Sequence, residues 1–116
     1  MRPDIIYHIV DKRAWKDNAR SGAYQPSTVE TEGFIHCSTA SELQNTANRF
    51  FKGKSGLLLV LISTGQVRAE IKFEQSGDHG IFPHIYGSLN LDAVLDTISL
   101  IPEPDGTFNV NVVEEN

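Results

Sequence analysis

A histidine and a tyrosine stand two apart in the run Ile81-Phe-Pro-His-Ile-Tyr-Gly87. Pro83 locks its own φ and drives Phe82 toward an extended conformation, and Gly87 permits a sharp exit, so the run is expected to be short, stiff and extended. Side chains two apart on an extended chain share a face, which aims His84 and Tyr86 into one space and turns Ile85 to the other side. An imidazole can act there as acid, base or ligand near neutral pH, and a phenol as hydrogen-bond donor or acceptor. The run Phe34-Ile-His-Cys-Ser38 repeats the pattern, with Phe34, His36 and Ser38 on one face and Ile35 and Cys37 toward the core. Glu74 closes an alternating run just before the polar loop 75–80. A carboxylate there can orient a histidine or a ligand hydroxyl, or simply sit solvated at a strand edge. His8 lies inside an apolar run, where a core histidine bonded to the backbone is the plain alternative to a ligand contact. His79, in a Gly/Asp loop, reads as a solvated loop residue.

Several chemistries compete for these groups. His8, His36 and His84 with a water would make an open zinc pattern, yet no two have the short spacing of a zinc motif and each sits on a different element, so no metal is expected. Cys37 points away from His36 on a strand, which disfavours a Cys/His nucleophile and leaves a buried structural thiol. Ser38 lacks a nucleophile elbow and serves equally well as a helix-entry residue. Thr39 heads Thr39-Ala-Ser-Glu42, a capping-box pattern. The free amides of the helix it starts would lie near His36 and Ser38 and favour an anionic group, carboxylate or phosphate.

The elements that must position these residues follow from periodicity. Residues 5–10 are β-branched and apolar, a buried strand. Asp11 then caps a helix of about ten residues through Arg20, with Ala14, Trp15 and Ala19 on one side and Gly22 as its stop. Residues 24–33 carry Pro26 and Gly33 and read as a loop. A helix over 40–52 should bury Leu43, Ala47, Phe50 and Phe51 and end at Gly53. Residues 57–62 are apolar throughout, as in a central strand covered on both faces. Residues 67–74 alternate, with Val67, Ala69, Ile71 and Phe73 inward and Arg68, Glu70, Lys72 and Glu74 outward. A helical turn over 89–94, a strand over 95–101 ended by Pro102, and an edge strand or loose tail through Phe108, Val110 and Val112 complete the order.

Composition bounds the function. The 116 residues suit one domain, and a net charge of -5 argues against general binding to nucleic acid or anionic membranes. A single cysteine cannot form an internal disulfide, the N-terminus lacks a signal-peptide pattern, and the longest apolar run is too short to span a bilayer. A cytoplasmic protein is expected; its oligomeric state is left open.

The combination Ile6-Tyr-His-Ile9, Gly33-Phe-Ile-His-Cys-Ser-Thr39, Phe73-Glu74 and Phe82-Pro-His-Ile-Tyr-Gly87, in this order, resembles the bacterial domain of unknown function 952 family over about residues 5–101. That family is grouped by fold with the ADP-ribosyltransferase-like superfamily. The resemblance therefore implies a small single α+β domain over 1–116, with a split, mostly antiparallel sheet and two main helices cradling NAD in a cleft. It implies His8 in the first-strand position, Ser38 or His36 in the second-strand position, and Glu74 or the segment from His84 to Tyr86 in the late one. No Ser-Thr-Ser triplet and no Glu-x-Glu or Gln-x-Glu pair is present, and the late segment carries His84-Ile-Tyr86 instead. The expected function is an enzyme of NAD or ADP-ribose-like nucleotide ligands, with NAD as substrate and no metal. His36, His84 and Glu74 would be catalytic, and His8, Ser38, Thr39, Phe82 and Tyr86 would bind the ligand. The alternatives are a non-catalytic ligand-binding or interaction module on the same fold, and a metal-dependent hydrolase.

Overall fold

A computed structural model describes residues 4–110, so Val112 and the acidic end 114–116 lie outside the described residues. In chain order the elements are β1 (Ile5–Asp11), α1 (Lys12–Asn18), β2 (Ala19–Arg20), β3 (Ala23–Tyr24), α2 (Thr28–Thr31), β4 (Ile35–His36), α3 (Leu43–Phe50), β5 (Leu57–Ser63), β6 (Glu70–Gln75), β7 (Ile81–Tyr86), β8 (Leu89–Asn90), a 3-10 turn (Leu91–Ala93) and β9 (Val94–Leu100). This is an α+β fold. All strand pairings are antiparallel, in three sheets of order β1-β5-β9, β2-β3-β8 and β4-β7-β6. Tyr7 and Ser38 exchange both backbone hydrogen bonds, at 2.9 and 2.7 Å, and this single bridge splices the edge of β1 to the chain leaving β4.

The apolar strands β1 and β5 serve two cores because their side chains alternate in direction. Ile6, Val10, Val60 and Ile62 pack on one side with Tyr24, Ile35 and Ile85. Tyr7, Ile9, Leu57 and Leu59 pack on the other with Leu43, Ala47, Leu100 and Phe108. The expectation that residues 57–62 are covered on both faces is met in this way. His8, between Ile6 and Val10 in period, shares their side of β1.

Where the elements differ from expectation, a local competitor explains it. Asp11 does cap α1, its Oδ1 accepting the amides of Arg13 and Ala14 at 2.8 and 3.2 Å. The helix ends at Asn18 rather than Arg20 because Ser21 (φ 55) and Gly22 (φ 83) form a two-residue turn with both centres left-handed. Such a turn matches the twist of paired strands, and it pairs Ala19 with Tyr24 and Arg20 with Ala23. The expected loop 24–33 thus begins as a strand and contains the single helical turn α2.

The capping box at 39–42 does not form. Ser38 is held extended by its bridge to Tyr7, Thr39 Oγ1 meets Ser41 Oγ at 3.3 Å, and the amide of Glu42 bonds the Thr39 carbonyl. A turn is therefore needed first, so α3 starts at Leu43 with Glu42 as its N-cap and no side-chain cap bond. Leu43 and Ala47 are buried as expected, but Phe50 is 56% exposed. The alternating strand begins at Glu70, not Val67, because Arg68 N is taken by Asn90 Oδ1 at 3.0 Å. Phe73, expected inward, lies opposite the buried Pro83 but is itself 37% exposed. The run at Phe108 is no edge strand: Asn48 accepts its amide at 2.6 Å and donates to its carbonyl at 3.1 Å, fastening the buried ring to α3.

Burial predicts how these positions respond to truncation. Ile85→Ala, at a fully buried site opposite Ile35 and Ile71, is expected to cost about 3 kcal/mol in urea denaturation, and Phe73→Ala less than about 1.5 kcal/mol. A larger loss at Phe73 would contradict this placement of β6.

Candidate functional site

The site is built on β7, which lies between β4 and β6. His84 stands opposite His36 on one side and Lys72 on the other, while Glu74 is opposite Phe82 and Glu70 opposite Tyr86. Directly opposite residues share a face, so the polar side chains gather on one side of this sheet and Ile35, Ile71 and Ile85 on the other. Glu74 Oε1 accepts two hydrogen bonds, from His84 Nδ1 at 2.9 Å and from the Tyr86 hydroxyl at 2.5 Å. The Tyr86 hydroxyl, and after it His84, hold the Glu74 carboxyl below its ordinary pKa, and the bond to Glu74 raises that of the Tyr86 phenol. A carboxylate only accepts, so in the neutral form of the His84 ring the proton sits on Nδ1 and the lone pair on Nε2.

Phe34 lies flat against His84, with ring centroids 4.2 Å apart and planes at 18°, and the His36 ring meets His84 edge-on at 5.3 Å. These contacts and the carboxylate fix the imidazole from two directions. Among the described residues its Nε2 has no hydrogen-bond partner and no buried side-chain nitrogen or oxygen lacks one, so Nε2 opens to solvent-accessible space.

That space is a cleft of about 570 Å³. His8, His36, His84, Ser38 and Phe82 all line it, so the three histidines expected from separate elements converge there. Thr39, Glu74 and Tyr86 are not among the described lining residues; the last two stand behind His84. His36 is half exposed, its Nε2 3.3 Å from both carboxylate oxygens of Glu32. Ser38 donates to Thr46 Oγ1 at 3.1 Å. Glu42 is the N-cap of α3 and makes no side-chain cap bond there. Among the described residues no group of three or more His, Cys, Asp or Glu is placed to hold a metal ion.

His8 is committed at both ring nitrogens. Nδ1 lies 2.6 Å from the His36 carbonyl and Nε2 2.8 Å from the Tyr24 hydroxyl. The carbonyl can only accept, so Nδ1 bears the proton and the Tyr24 hydroxyl donates to Nε2. Desolvation lowers the His8 pKa to about 4, outweighing the bond to His36 that would raise it, and the ring is neutral. Burial pushes the phenol of Tyr24 and the thiol of Cys37 upward, and the buried Cys37 is not a reactive thiolate.

Tyr24 reaches His8 from a strand and not from the expected loop; the Ser21-Gly22 pair ahead of it is the hairpin signal. Phe34 lies on its expected face, but nothing in its spacing marks it as the plate against His84. No helix among the described residues is long and apolar enough to cross a membrane.

Residues 9–97 match the model of a family described as protein of unknown function (DUF952). The crystal structure of protein CC0527 from Caulobacter crescentus is similar, with 27% identity, a TM-score of 0.80, and coverage of 90% of this chain and 93% of that one. The solution NMR structure of the same protein gives 30% identity, a TM-score of 0.75 and 90% coverage of each chain. No curated protein matches.

The neutrality of His8 sets a pH dependence. Its folded pKa of about 4 lies below the unfolded value of 6.5, so its contribution is complete above pH 6.5 and is lost as pH falls from 6.5 through about 4. That loss is on the order of 3 kcal/mol. Urea denaturation across this window should show the fall in wild type and a shallower one in His8→Gln; equal slopes would contradict the assignment.

Proposed function

The chain belongs to the DUF952 family, and from that premise we propose that the cleft binds an NAD- or ADP-ribose-like nucleotide and that His84, oriented by Glu74, takes a proton there from water or a ligand hydroxyl. One observation carries the reading: an imidazole fixed by a carboxylate on Nδ1, with its lone-pair nitrogen open to a cleft of about 570 Å³. A carboxylate behind a histidine holds the tautomer and stabilises the imidazolium that forms, and the volume falls in the range of small-ligand sites.

The arrangement of strands supports the same reading. Across the Tyr7–Ser38 bridge the order is β9-β5-β1-β4-β7-β6, an antiparallel arrangement split at one bridge and compatible with an ADP-ribosyltransferase-like sheet. On this reading one domain over 1–116 acts in the cytoplasm, with His8 on the first strand, His36 and Ser38 on the second, and Glu74 acting through His84 where transferases expose a carboxylate. Phe82 lines the cleft, Tyr86 steadies Glu74, and Thr39 supports the turn beside Ser38. With NAD, water attacks the ribose C1′, the C1′–N bond breaks with its electron pair leaving on nicotinamide, and the water's proton passes to His84 Nε2.

A second reading, a non-catalytic binding module, is favoured by His8, whose two nitrogens are spent on protein partners. Titration of NAD into isotope-labelled protein separates the two. The enzyme reading predicts saturable NMR shifts at Phe82 and His84, and nicotinamide release that falls roughly 100-fold or more in a folded His84→Ala variant. A variant that only melts earlier would favour the module, and an unaltered spectrum at millimolar NAD would contradict nucleotide binding.

A further inference from the structure

We infer that His36 is a second proton-handling group in the cleft and that the two imidazoles divide the work: His84 takes a proton from the attacking water, and His36 gives one to the departing oxygen. The substrate class that needs both is an ADP-ribose-like riboside joined through oxygen at C1′, whose leaving group must gain a proton. This rests on the nucleotide reading of the cleft and names the bond broken there.

The two residues are direct partners on neighbouring strands, so their side chains leave the sheet on one face, and both line the cleft. Their ring centroids are 5.3 Å apart with the planes at 77°, close enough for both to serve one small group. Phe34 packs on each of them, stacked on His84 at 4.2 Å and edge-on to His36 at 4.7 Å.

Each ring has a carboxylate behind it, on opposite nitrogens. Glu74 accepts from His84 Nδ1 at 2.9 Å, and both oxygens of Glu32 lie 3.3 Å from His36 Nε2. Glu32 comes within reach because Gly33, at φ 91, turns the chain between α2 and β4, a conformation that favours glycine. A carboxylate only accepts, so the Nε2–H of His36 is committed to Glu32. A second proton on this ring therefore sits on Nδ1, which has no hydrogen-bond partner among the described residues. Exposure assigns the roles. The His36 side chain is 54% exposed and that of His84 is 9% exposed, and a charge costs less where water reaches it. The resting pair is then His36 as an imidazolium against Glu32, and His84 neutral with its lone pair on Nε2.

In the reaction, water attacks C1′ while His84 Nε2 takes its proton. The C1′–O bond breaks with its electron pair on the leaving oxygen, and His36 Nδ1 supplies the proton that this oxygen takes up. His36 ends neutral and His84 ends as the imidazolium, so the pair carries one positive charge before and after the step, each time beside a carboxylate. Return of one proton from His84 to His36 through solvent resets the site. Nicotinamide leaves NAD as a neutral ring and takes up no proton, so acid help from His36 matters less there.

The test compares two substrates on the whole protein, NAD and ADP-ribose carrying a methoxyl group at C1′, with release of ADP-ribose as the readout. His36→Ala should lower cleavage of the methyl riboside roughly 100-fold more than cleavage of NAD, whereas His84→Ala should lower both alike. Glu32→Gln, which keeps an acceptor for Nε2–H but removes the charge, should show the same preference to a smaller degree. Heteronuclear NMR spectra check that each variant is folded, and His36→Gln repeats the comparison if alanine disturbs β4. Equal fractional losses on the two substrates in His36→Ala overturn the acid role while leaving the nucleotide reading intact, as does a wild type that cleaves NAD but not the methyl riboside. A wild type that binds NAD yet cleaves neither substrate overturns the inference alone, and one that neither binds NAD nor cleaves either substrate overturns both.

Discussion

One carboxylate oxygen organises this site. Glu74 Oε1 accepts hydrogen bonds from His84 and Tyr86 together, and those two donors come from alternate positions of one strand while the acceptor comes from its neighbour. The contact therefore depends on the register of β6 against β7: a slip by one residue would send Glu74 to the apolar face. Ile71 and Ile85, paired on the buried side of the same two strands, hold that register through packing. The chemistry on one face is thus maintained by hydrophobic burial on the other.

The remaining histidines have different work. His8 sits in the core at 9% exposure and bonds the carbonyl of His36, so it anchors the strand that presents His36 to the cleft. Its neutrality follows from desolvation, and its tautomer from a carbonyl that can only accept. The Tyr7–Ser38 bridge joins the two main sheets beside it, so the cleft lies where backbone pairing is thinnest. Side chains and backbone bonds along that seam, rather than a long ladder, set the distance between its walls.

Much of this was legible in the sequence. The period of two in Phe34-Ile-His-Cys-Ser38 and in the run ending at Tyr86 placed Phe34, His36, His84 and Tyr86 on one face and Ile35 and Ile85 on the other, because side-chain direction on a strand is a local property. The cap at Asp11 was legible for the same reason. What was not legible depends on partners distant in sequence. The capping pattern at Thr39 lost to a bridge with Tyr7, the strand start at Val67 lost to Asn90, and Phe108 was drawn to Asn48. Glu74 stood out as a site candidate, yet that one of its oxygens serves two donors is a matter of strand register that no single segment encodes.

Glu74 fixes the tautomer of His84 so that Nε2 faces the cleft as an acceptor. Long-range nitrogen–proton correlation NMR of the imidazoles at pH 8, in wild type and in Glu74→Gln, reads this directly. A protonated Nδ1 and an unprotonated Nε2 are expected for His84 in the wild type, with the tautomers mixed once the carboxylate is gone. A wild-type His84 protonated on Nε2, or a tautomer indifferent to Glu74, would contradict it.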